Sequence, residues 1–124
     1  MESKHSLFKS FSFAFEGLKV ALANGRNFRI QLTVGLAAIL TGLFLNISGA
    51  EWVGLFLIIS LVLILELLNT SVEAIVDLVS PEIRDRAKTA KDVSAAAVLI
   101  ASFAAGIIGT IIFLPKTLTV LGLY

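Results

Sequence analysis

The chain has 124 residues, 57% hydrophobic and 15% charged, whereas soluble domains run roughly 45–50% apolar and about 25% charged. A net charge of +1 offers little to nucleic acid, and the absence of cysteine excludes disulfides, thiolate metal sites and cysteine nucleophiles. So much apolar surface exceeds what one small soluble core absorbs, and the natural solvent for it is lipid. The expectation is one all-α membrane domain over residues 1–124. The single histidine, His5, is read as incidental.

Charges at Glu2, Lys4, Lys9, Glu16, Lys19, Arg26 and Arg29 break up the first 29 residues, so no cleavable signal peptide is expected. Phe8, Phe11, Phe15, Leu18 and Leu22 recur at spacings of three and four. Lys9, Ser12, Glu16 and Lys19 fall elsewhere on the wheel. This pattern predicts an amphipathic helix over about 6–24, lying flat in the membrane interface. It either anchors the first span or helps cover a site. Residues 24–27 read as a polar joint with room for a side chain at Gly25.

Ile30 to Ile47 is an almost unbroken apolar run of bilayer-spanning length. The short polar turn from Asn46 to Glu51 follows, and Trp52 suits the outer interface. A second span, about 52–79, carries Glu66, Asn69, Glu73 and Asp77 before Ser80 and Pro81 stop it. Glu82 to Asp92 is densely charged and reads as a loop leading into the next helix. A third span, about 93–114, is uncharged and is closed by Pro115. Its Ala97, Ala101, Ala105 and Gly109 form a stripe of small residues suited to close helix packing, within one subunit or between copies.

Lysines and arginines set the orientation. Nine of the ten lie in the N-terminal segment or between Arg84 and Lys91; the tenth is Lys116. The N-terminus and the 80–92 segment therefore belong in the cytoplasm.

At about 100° per residue, Glu66, Asn69, Glu73 and Asp77 sit near 0°, 300°, 340° and 20°, on one narrow helix face. Ionisable groups inside a span are expensive, and by default they mark function. A stripe that merely joins helices would explain Asn69, but three carboxylates together repel. Depth sharpens this reading. Glu66 lies roughly 21 Å along the helix from Trp52, just beneath the inner surface of a core about 30 Å thick. Glu73 reaches that surface. Carboxylates beside Lys88 and Lys91 at a membrane surface suit a metal-bound polyphosphate, because magnesium takes one or two carboxylates and completes its shell with phosphate oxygens. A lysine neutralises charge on the transferring phosphoryl group. The deepest carboxylate is placed to take a proton from a lipid hydroxyl. No glycine-rich phosphate loop and no kinase-type loop signature is present.

Glu66-Leu-Leu-Asn69-Thr-Ser-Val-Glu73-Ala-Ile-Val-Asp77, then Ala87-Lys-Thr-Ala-Lys91-Asp92 and the alanine run from Ala95, resembles the signature of the small prokaryotic diacylglycerol kinase and undecaprenol kinase family. The resemblance covers nearly the whole chain, including Phe8 to Phe11, Gly17-Leu18 and Asn27 to Arg29. It implies a homotrimer with active sites shared between subunits, magnesium as cofactor, and ATP and a membrane lipid alcohol as substrates. By position, Glu66 resembles the catalytic base, and Glu73 the ligand of metal and ATP. Phe13, Glu82, Ile83, Arg84, Lys91 and Asp92 resemble further ATP contacts. Asn27, Phe28, Arg29, Ile30, Gln31 and Ala95 resemble the lipid path that leads to Glu66, with Asn69 and Asp77 in support. Two positions depart from the family's pattern: Gly25 stands where a metal-binding glutamate is usual, and Ser6 where a basic residue is usual. The implied function is ATP-dependent phosphorylation of a lipid alcohol, undecaprenol ahead of diacylglycerol, at the cytoplasmic face of the inner membrane. A small proton-coupled transporter and a catalytically impaired homologue are the alternatives.

The orientation has a direct test. A single cysteine in the 46–51 turn should react with an impermeant thiol reagent added to intact cells, and one in the 80–92 segment should not. The opposite pattern would remove the carboxylates from cytosolic ATP.

Overall fold

The structure, a computed structural model, describes residues 6–82 and 84–123. It contains four helices: α1 (Leu7–Asn24), α2 (Arg26–Leu45), α3 (Gly49–Val79) and α4 (Asp85–Val120). The last three are each long and apolar enough to cross a membrane. Large apolar side chains point away from the bundle: Leu40, Phe44, Ile100 and Phe103 are between 66% and 81% exposed. In lipid such faces cost nothing, and helices associate through close packing rather than through escape from water.

α1 starts at Ser6, whose hydroxyl accepts a hydrogen bond from Lys9 N. Its stripe of Phe8, Phe11 and Phe15 is exposed, and Ala21 is its one buried residue. At the other end Arg29 reaches back from α2, its Nη1 donating to the carbonyls of Leu22 and Ala23 at 2.8 Å each. Those are carbonyls that a helix terminus leaves open, so the guanidinium fastens α1 to α2. The joint between them has no room for a side chain. A Cβ on Gly25 would lie 2.6 Å from Ala21 O and 3.2 Å from Phe28 Cβ. The expected space at position 25 is therefore absent, because Gly25 N also donates to that same carbonyl at 2.8 Å and holds it close.

α2 meets α3 through a seven-residue repeat. Phe28, Gly35 and Gly42 are its buried residues. A Cβ at Gly35 would come 3.0 Å from Ile59 Cγ2, and one at Gly42 would come 2.9 Å from the Trp52 ring. A Cβ at either position would have to push its neighbour's side chain aside. α3 and α4 form the principal seam. Leu55, Ile58, Val62, Glu66 and Asn69, at spacings of three and four, are the buried face of α3. Val98, Ala101 and Ile112 are buried on α4. Ala101, in the middle of the small-residue stripe, is 3% exposed; the stripe is used within the chain.

The end of the bundle at the α2–α3 turn is pinned by a reciprocal cap. Ser48 Oγ accepts from Glu51 N, and Glu51 Oε2 accepts from Ser48 N at 2.7 Å. Lys116 Nζ lies 3.3 Å from the same carboxylate and ties α4 to it. With Ser48 and Glu51 so engaged, exposed Ala50 is the better place for the thiol probe. Pro115 does not end the third span; α4 runs through it to Val120. Proline removes one backbone donor, and the helix absorbs that single loss within its last two turns. The charged stretch also differs from the expected loop. α4 already begins at Asp85, so Arg86, Lys88, Lys91 and Asp92 form its first two turns. Alanines at 87 and 90 and the Lys88–Asp92 pair one turn apart favour that helix.

The crowding at the joint predicts that Gly25→Ala destabilises the protein by about 1–3 kcal/mol, as overpacking usually does. Unfolding in mixed detergent micelles measures it. An unchanged midpoint would mean that the joint opens freely.

Candidate active site

The buried face of α3 changes character without changing direction. Leu55, Ile58 and Val62 give way to Glu66 and Asn69, which are 5% and 8% exposed. Glu73 and Asp77 continue the face into the exposed region. The charged first turns of α4 run antiparallel alongside, and each polar group on α3 meets a partner.

Glu66 is reached from α2: Gln31 Nε2 donates to its Oε2 at 3.2 Å. The other amide atom of that glutamine, Oε1, is buried without a hydrogen-bond partner. Asn69 Nδ2 donates to Glu73 Oε1 at 3.2 Å. Ser94 Oγ lies 2.6 Å from Asn69 Oδ1. Lys91 Nζ pairs with Asp77 Oδ1 across the seam. Asp92 pairs instead with Lys88, and Arg84 lies 3.8 Å from Glu82, both of those side chains being exposed.

The lipid-path residues divide. Phe28 is buried at the α1–α2 joint, and Arg29 is committed to the carbonyls of α1. Ile30 and Gln31 line a groove of about 580 Å³ between α2, α3 and α4. Its wall is almost wholly apolar, with Gly35, Ala38, Gly106 and Gly109 leaving the space and Val62 one turn above Glu66. Phe13, Asn27 and Ala95 are exposed in the single chain. Ile83 lies outside the described residues. Ser94 was not anticipated, although it falls on the α4 stripe three residues after Lys91 and four before buried Val98.

Among the described residues no group of three or more histidine or acidic side chains converges on a point. The donor set still fits a magnesium ion that arrives with phosphate. Glu73 is exposed, and Asn69 engages only one of its carboxylate oxygens. One such carboxylate suffices where phosphate oxygens and water complete the shell.

Comparison with known proteins agrees with this arrangement. A family model described as prokaryotic diacylglycerol kinase matches residues 12–113. A diacylglycerol kinase of Synechocystis is 42% identical, over 94% of this chain and 67% of its own. An undecaprenol kinase of Bacillus subtilis is 39% identical, over 88% of this chain and 89% of its own. A diacylglycerol kinase of Escherichia coli is 34% identical, over 77% and 78% respectively. With the match spanning most of the chain and covering both the carboxylate face of α3 and the charged start of α4, this protein belongs to the prokaryotic diacylglycerol kinase family.

Proposed function

We propose that the protein transfers the γ-phosphoryl group of ATP to the hydroxyl of a membrane lipid alcohol, undecaprenol ahead of diacylglycerol, at the cytoplasmic face of the inner membrane. The observation that carries this reading is the pairing of Glu66 with Gln31 at the inner end of an apolar groove. A buried carboxylate suits the proton of a hydroxyl group, and the groove suits the chain attached to it. Relatives named for each lipid are of similar identity, 39% for an undecaprenol kinase and 42% for a diacylglycerol kinase.

In the proposed reaction the lipid hydroxyl gives its proton to Glu66. Its oxygen bonds to the γ-phosphorus, and the bond from that phosphorus to the bridging oxygen breaks, releasing ADP. Gln31 holds the Glu66 carboxylate in place through its Nε2, while the acceptor's single proton goes to that carboxylate. Magnesium, when bound, neutralises charge on the phosphates; Glu73 would hold it. Lys91, paired with Asp77, would face the same phosphates. Glu82, Ile83, Arg84 and Asp92 would flank the nucleotide. Phe13, Asn27 and Ala95 are exposed in one chain, and the site would be completed by a neighbouring copy in a homotrimer.

The decisive experiment is purified protein with labelled ATP and a panel of lipid alcohols separated by chromatography. Label in no lipid sinks the reading. Glu66→Gln keeps the shape and still accepts from Gln31, but it removes the base. Turnover should fall about 10²–10⁴-fold, the usual contribution of a general base, with ATP affinity retained. Near-normal phosphorylation would show that another group takes the proton.

Glu73→Gln should raise the magnesium concentration needed for half-maximal rate and weaken ATP binding together. Magnesium titration at fixed ATP reads both. An unaltered requirement would move the metal to another carboxylate, Asp77 being the nearest along the face.

A further inference from the structure

Ser94 has no assigned role, yet it sits at the centre of the polar network. We propose that Ser94 is a positioning residue: its hydroxyl fixes the Asn69 amide so that the amide nitrogen stays on the Glu73 carboxylate. The inference rests on the proposed role of Glu73.

The geometry is a chain of three groups. Ser94 Oγ is 2.6 Å from Asn69 Oδ1, and Asn69 Nδ2 is 3.2 Å from Glu73 Oε1. A serine hydroxyl has one proton to donate, and an ionised carboxylate only accepts. Glu73 therefore requires the nitrogen of the amide, which turns its oxygen towards Ser94. The hydroxyl has a second acceptor in reach, the Lys91 carbonyl at 2.9 Å. That carbonyl already belongs to the helical ladder of α4, whereas Asn69 Oδ1 is an oxygen on a buried residue and needs the donor more. With Ser94 in place the amide has one satisfied orientation. Without the hydroxyl its oxygen is orphaned, the amide is free to turn, and Glu73 loses the donor that holds one of its oxygens. Since Ser94 is on α4 and Glu73 on α3, the arrangement also sets the carboxylate against the helix that carries Lys91.

Ser94→Ala, Ser94→Cys and Ser94→Thr test the proposal in purified full-length protein. The readouts are magnesium-dependent turnover and calorimetric binding of magnesium–ATP. One neutral hydrogen bond is worth a factor on the order of 2–10. Ser94→Ala should raise the half-saturating magnesium concentration and weaken magnesium–ATP binding by that factor, with the rate recovering at saturating magnesium. Ser94→Thr, which keeps the hydroxyl, should behave as wild type. Ser94→Cys, with a weaker donor, should fall between them, and it supplies the reading if the alanine variant fails to fold. Combined with Glu73→Gln, Ser94→Ala should add nothing further. An unchanged magnesium dependence, a uniform loss at every magnesium concentration, or additive effects in the double variant would each overturn the proposal. Weakened binding by Ser94→Ala in a protein that never labels lipid would leave the positioning role standing and sink the kinase reaction. A wild type that binds no magnesium–ATP would overturn both.

Discussion

Polar side chains on a membrane-spanning helix have no water to fall back on, so each must find its partner inside the protein. That constraint organises the polar half of the bundle. The face of α3 that buries Leu55, Ile58 and Val62 against the rest of the protein also carries Glu66 and Asn69. The same seam therefore packs the helices and holds the chemistry. Hydrogen bonds between helices in lipid contribute only about 0.6 kcal/mol on average, so this network adds little stability. Its effect is on position: a buried amide or carboxylate with one available partner has one available orientation. Gln31 and Ser94 act on Glu66 and Asn69 in that way.

Further along the same face the electrostatics differ. Lys91 and Asp77 form a pair with side chains 38% and 66% exposed. Exposed pairs of this kind are worth roughly 0–1 kcal/mol. The pair matters for register, because it joins the last turns of α3 to the first turns of α4. An ammonium has three donors on a flexible stem. Lys91 can hold Asp77 and still offer donors to a phosphate, which a more deeply buried pair could not do without breaking.

Much of this was legible in the sequence because it follows from periodicity and charge. The three spans, the surface helix and the shared face of Glu66, Asn69, Glu73 and Asp77 depend only on helical spacing, which a chain reveals directly. What stayed hidden depends on which helix faces which. Arg29 reads as one more basic residue near a lipid path, but its guanidinium closes the end of α1. Gly35 and Gly42 disappear in an apolar run until Ile59 and Trp52 are placed against them. Gly25 reads as an open position in a polar joint, and only the backbone shows that a Cβ would strike Ala21 O. Ser94 gave one signal, its place on the α4 stripe, and that meant little before α4 was laid along α3. The charged stretch read as a loop because charge density outweighed the helix-forming alanines within it.

The groove adds a constraint on how a lipid alcohol would be chosen. A lipid already lies in hydrocarbon, so moving its chain from the bilayer into a wall of Val34, Ile58, Ile59 and Phe113 removes almost no apolar surface from water. The usual 25 cal/mol per Å² or so of hydrophobic gain applies to transfer from water and largely drops out. What remains is contact quality along the chain and hydrogen bonding at its polar end. The end is where one lipid alcohol differs most from another in what it asks of Gln31 and Glu66. A primary hydroxyl on a hydrocarbon chain can reach Glu66 with no other polar group to bury. A head group that brings ester carbonyls needs further donors, and the groove wall around Gln31 is almost wholly apolar. Selection on the proposed reading therefore falls on the last few atoms of the substrate, at the depth of Glu66, while the length of its chain is left to the bilayer.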